Sequence, residues 1–213
     1  MNRNLLATLT FVAMSSMFTP SLHAEWGWLA GRVGGGYSQP VGGINGRLHG
    51  GFNLNGGLGA NLGPYVSLMG EYTFVRNGLS DRFIQQNSLP GGNLRMSAVT
   101  LSPVVHFAGD RAVSPYITGG FGWYHRTVEI TQPTSDVVTI FDPFWGVFYP
   151  ARVRSTEILS SYTVNKGGWN AGAGFDFKFG NSRAKMFAEA RYHYVPTRPV
   201  ATEIMPLTIG VRW

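Results

Sequence analysis

From Met205 to the last residue, every second side chain is apolar: Met205, Leu207, Ile209, Val211 and Trp213 alternate with Pro206, Thr208, Gly210 and Arg212. Successive side chains of a β-strand face opposite ways, so this segment forms a ribbon with one apolar face. The pattern recurs upstream. Phe52, Leu54, Leu58, Ala60 and Leu62 alternate with Asn53, Asn55, Gly57, Gly59 and Asn61. Val66–Phe74, Ile117–Trp123, Trp169–Phe179 and Met186–Tyr194 repeat it. Weaker strands fit Trp28–Tyr37 and Leu94–Phe107, and in the latter the apolar parity switches near Ala98 and Val99, which predicts a bulge.

The count comes to about eight strands of about ten residues, the length that a tilted strand needs to cross a bilayer. Predicted connections alternate in length. Short ones fall around Gly63-Pro64, at Gly109–Ser114 and at Gly180–Arg183; longer ones span Ser38–Gly51, Asn77–Gly92, Thr131–Lys166 and Pro196–Glu203. Short turns at one end and long loops at the other are the plan of an up-and-down transmembrane barrel with both termini on the short-turn, periplasmic side. A soluble sandwich or lipocalin-like barrel also alternates. Against it, the faces opposite the apolar ones mix Gly and Asn with Asp, Glu, Lys and Arg, and Trp28, Tyr37, Tyr72, Phe74, Tyr192, Tyr194 and Trp213 crowd the strand ends. Amphipathic rings favour the headgroup level of a membrane. The expected fold is therefore all-β, an eight-stranded antiparallel transmembrane β-barrel.

Composition narrows the class further. Charged residues are only 13% of the chain, aromatics are 14%, and there is no Cys, which excludes disulfide staples and Cys-based zinc or catalytic sites. The net charge of +6 is spread without a basic run, so no nucleic-acid partner is expected. The first residues combine Arg3, an apolar stretch from Leu5 to Phe18 and the region Pro20-Ser21-Leu22-His23-Ala24. They read as a signal peptide, residues 1–24, cleaved to leave a barrel domain over 25–213.

Taken together, the leader, the strand plan and segments such as Met186–Tyr194 make the chain similar to the OmpA-like and OmpX-like small outer-membrane β-barrel family. The resemblance implies a bacterial outer-membrane location, with outer-membrane lipid and lipopolysaccharide as surroundings. The face Met205, Leu207, Ile209, Val211 and Trp213 resembles the terminal-strand signal that the barrel-assembly machinery recognises, with Trp where Phe is more usual.

Two sets of residues are candidates for function. By parity, Arg32, Glu71, Asp176, Lys178, Glu189, Arg191 and Arg212 point into the barrel. An eight-stranded bore is only wide enough to be filled by side chains, and unpaired buried charge is costly. Glu71 and Glu189 are expected to pair with Arg32, Arg191 and Lys178, either as a plug or as a gated ion path; little or no steady conductance is expected. The second set lies in the long connection: Phe141, Phe144, Trp145, Phe148 and Tyr149, followed by Arg152 and Arg154. Exposed apolar patches mark binding sites. These residues either pack on the barrel mouth or as strands above it, or they contact an extracellular ligand or lipid. The two arginines, with Arg126 and Lys166 at the loop bases, suit lipopolysaccharide phosphates. No nucleophile elbow, zinc spacing or phosphate loop is present, so neither catalysis nor a cofactor or metal is expected. The function classes left are a structural or adhesive barrel, a small channel, and, least, a lipid-modifying enzyme.

Overall fold

Strands whose one face is apolar and whose other is polar have two ways to satisfy both faces at once, and this chain takes the closed one. The computed structural model describes residues 28–108, 111–178 and 183–213, and within its strands the side chains of 133, 135–136 and 151–156 are not described. The predicted signal peptide lies outside the described residues. Strands β1 (Leu29–Pro40), β2 (Leu48–Asn61), β3 (Val66–Leu79), β4 (Gly92–His106), β5 (Val113–Asp142), β6 (Val147–Lys178), β7 (Lys185–Val195) and β8 (Thr202–Arg212) form a closed barrel in sequence order. Every neighbouring pair is antiparallel, and β1 meets β8 from Arg32↔Arg212 to Pro40↔Ile204. Closure leaves no unpaired edge for lipid to face. Trp213 completes the seam by exchanging two 3.0 Å backbone hydrogen bonds with Gly31. A Cβ on Gly31 would stand 2.3 Å from the Trp213 indole, so the bare backbone there is what lets the ring lie flat across β1.

Parity sorts the residues as the sequence implies. Leu54, Leu58, Val99, Leu101, Ile117, Phe121 and Ile209 face outward and are exposed, as lipid-facing groups are. Asn53, Asn55, Ser67, Glu71, Thr73, Ser102 and Thr208 face inward and are buried. The start of β1, the end of β8 and the strand ends joined by the three short connections share one end of the barrel. The other end carries a 3-10 turn at Gly42–Ile44, a short helix α1 (Asp81–Gln86) whose N-terminus is capped by the Ser80 hydroxyl accepting from Phe83 N at 3.3 Å, the β7–β8 connection and a long hairpin.

Two sequence expectations are corrected. β4 holds a single register against β3 and β5 through Ala98 and Val99, so there is no bulge there; the irregularities fall instead at Leu48/Gly51 and Ile130/Thr131. The parity switch has another cause. Toward the loop end the bore itself is apolar: Leu94, Met96 and Ala98 point in and join Ile44, Leu48, Val75, Leu79, Tyr124, Val195 and Ile204. The second correction concerns Thr131–Lys166, which is strand rather than loop. β5 and β6 stay paired out to Asp142↔Val147, and only Pro143–Gly146 turns the chain. The flanking Val, Ile, Thr, Phe and Tyr favour extended backbone.

Candidate functional site

Inside the barrel the charges form two ion clusters at successive depths. In the middle, four strands contribute one network. Arg32 on β1 lies 3.1 Å from Glu71 on β3 and 2.9 Å from Glu189 on β7. Arg191, two residues along β7, forks onto Glu71 through both terminal nitrogens and donates from Nη2 to Glu189 Oε2 at 3.1 Å. Two cations and two anions cancel, and all four side chains are 0–3% exposed. Tyr116 Oη on β5 donates to the same Glu189 oxygen at 2.9 Å. The Arg32 guanidinium also stacks on Phe187, 4.2 Å from its ring centre. Such a network is stable because every buried charge meets an opposite one; removing a single partner strands the rest in low dielectric.

Nearer the terminal end, Asp176 accepts from Arg212 Nη1 at 2.8 Å and lies 3.2 Å from His106 Nδ1, while Arg212 stacks over Tyr116 at 4.6 Å. Toward the loop end, Tyr124 Oη is 3.0 Å from His193 Nδ1, and the apolar cluster closes above them. Thus Arg32, Glu71, Glu189 and Arg191 come together as one site and Asp176 and Arg212 as another. Lys178 is the last residue of β6, opposite Lys185, and the central network closes without it. Tyr116, Phe187 and His106 complete the two clusters. Parity with Ile117 and Met186 turns Tyr116 and Phe187 inward, but their partnership with charges on strands far apart in sequence leaves no local trace. Space for these long side chains comes from glycine: a Cβ on Gly174 would sit 2.6 Å from Tyr116 Oη.

The hairpin is the second region. Beyond Thr131, whose N–H donates to Gly91 O at 3.0 Å, β5 pairs only with β6. At the tip, Asp142 Oδ1 accepts from Phe144 N at 2.8 Å and Trp145 N at 3.4 Å, and Gly146 turns with φ +64°. Phe141 meets Phe148 across the ribbon at a tilt, ring centres 4.9 Å apart, and Phe144 meets Trp145 edge-on at 5.1 Å. Even so, Phe144, Trp145 and Phe148 remain 83%, 73% and 70% exposed, and Phe141 and Tyr149 are exposed as well. The predicted aromatic patch is therefore one raised knob. Arg152 and Arg154 stand opposite Val137 and Ser135 in the register, and their side chains lie outside the described ones. Arg126, expected at the loop base facing lipopolysaccharide, instead turns into the barrel mouth, donating to Thr202 Oγ1 at 2.7 Å and Thr197 Oγ1 at 3.3 Å. On β8, Leu207, Ile209, Val211 and Trp213 share the exposed outer face with the half-buried Met205.

Residues 7–211 match the family described as "Outer membrane protein beta-barrel domain". No curated protein matches the sequence. Among solved structures, Neisserial surface protein A is similar with a TM-score of 0.58 at 13% identity, over 86% of this chain and 95% of that one. Ail, the attachment invasion locus protein of Yersinia pestis, gives 0.48 at 19% identity, over 87% and 99%. At such identities the likeness concerns the fold.

Proposed function

Since this chain belongs to the outer membrane protein β-barrel domain family and so resides in the bacterial outer membrane, we propose that it is a display barrel: a filled, membrane-held base that presents the β5–β6 hairpin for adhesion. The observation that carries this reading is the hairpin itself. The twelve residues Thr131–Asp142 extend about 40 Å beyond their last tie to the mouth at about 3.3 Å per residue. They end in aromatic side chains that nothing else among the described residues covers. A closed, charge-paired bore supports a base rather than a conduit, because an ion would have to part Arg32 and Arg191 from Glu71 and Glu189. Envelope lipid and lipopolysaccharide surround the wall, the barrel-assembly machinery reads the β8 face during insertion, and the external ligand meets the tip.

The test is to express the protein on a non-adherent bacterial host and to replace residues 132–157 by an Asn-Gly turn. Attachment to cultured cells should fall to the level of the empty host while the surface amount of the barrel is unchanged. Attachment that survives the replacement overturns the display reading.

A further inference from the structure

We infer that the hairpin tip, Val137 to Pro150, is a lipid-docking element that seats in the surface of an apposed bilayer; this rests on the display reading and names its partner. The pattern of exposure is the first argument. Neighbouring residues of a strand point to opposite sides, yet Ile140 and Phe141 are both exposed, and so are Val147 and Phe148. A surface built to meet a protein on one side would alternate. This tip is apolar on both sides, as suits an element surrounded by its partner.

Charge and backbone chemistry agree. From Val137 to Pro150 the single charged residue is Asp142. One of its carboxylate oxygens accepts from Phe144 N and Trp145 N, and its carbonyl accepts from Gly146 N at 2.8 Å. Pro143 has no N–H. Every backbone donor of the turn is therefore satisfied within the turn, which removes the main penalty for entering an apolar phase. The outer edges of the ribbon are unpaired, so deep burial in hydrocarbon is disfavoured and seating stops at the interfacial level, where Trp and Tyr rings reside.

The stem identifies which bilayer. Between the apolar tip and Ile158, Leu159 and Tyr162, which are exposed nearer the barrel, the ribbon is predominantly polar in sequence over residues 131–136 and 152–157. Two apolar zones separated by a polar stem of this reach belong to two different apolar phases. The tip carries no basic residue, so docking depends on apolar and aromatic burial and not on anionic headgroups.

The experiment uses the full-length barrel held in nanodiscs, mixed with separate phosphatidylcholine vesicles and floated on a density gradient. The protein should rise with the vesicles in low and in high salt. Trp145 emission, read as the difference from W145F, should shift to the blue and be quenched by brominated acyl chains. The triple substitution F144S/W145S/F148S should cut the bound fraction by about tenfold. Absence of co-flotation, co-flotation that the triple substitution leaves intact, or tip-dependent pairing of nanodiscs with no vesicle bound overturns the lipid partner. Loss of cell attachment on replacing the hairpin, together with no vesicle binding by the unaltered protein, leaves display standing and removes only the lipid.

Discussion

Glu189 and Phe144 mark the extremes of this chain. Glu189 is a buried carboxylate that meets Arg32, Arg191 and Tyr116; Phe144 is an aromatic residue 83% exposed, its ring edge-on to Trp145. A soluble domain would place them the other way round. In the barrel, the wall gives its apolar face to lipid, so polar groups collect inside and must pair there. The hairpin has no inside. Two strands bury nothing between them, so its character is set by what it meets rather than by what it packs around.

The comparison breaks most visibly at Glu189. Glu189→Gln leaves Arg32 and Arg191 with one full anion, Glu71, between them, and it weakens the bond from Tyr116. A loss of about 3 kcal/mol or more in unfolding free energy is expected, read from urea titration of the barrel in lipid vesicles. A loss below about 1 kcal/mol would mean that the bore tolerates unpaired charge, and the contrast with the hairpin would collapse. The next effect in size is steric. Gly174→Ala brings a Cβ against Tyr116 Oη and within 2.5 Å of Ala188 O on the neighbouring strand. A cost of about 1–3 kcal/mol in the same titration is expected, since backbone cannot retreat as a side chain can. No change would show that the bore is looser than its contacts imply.

What the sequence made legible follows from the same contrast. Where lipid lies on one side and the bore on the other, side-chain parity is forced, and Arg32, Glu71, Glu189, Arg191 and Arg212 could be placed inward by counting. Their pairing could not, because Arg32 and Glu189 are 157 residues apart and meet only through closure of β8 onto β1. The parity switch near Ala98 and Val99 mimics a bulge because counting assumes that apolar means outward, whereas Leu94, Met96 and Ala98 line a loop end of the bore that is itself apolar. Val137–Val138 and Ile140–Phe141 read as loop for the converse reason: a ribbon without a buried side carries no alternation, and its strand character lies in β-branched and aromatic content alone.

The smallest expected effect sharpens the comparison from the other side. In the triple variant F144S/W145S/F148S three large apolar groups are lost, a change that would unfold a soluble core. Here all three are exposed, their ring contacts are to one another or to Phe141, and β5 beyond Thr131 pairs with β6 alone. The barrel's unfolding free energy should therefore move by about 0.5 kcal/mol or less, within the range of ordinary surface substitutions. Its heat-dependent gel mobility should also be unchanged. A larger loss would mean that the tip folds back on the barrel and belongs to its core. A null result in stability beside a large loss of attachment separates the two regions energetically: the bore holds the barrel together, and the hairpin tip is free to be chosen by its partner.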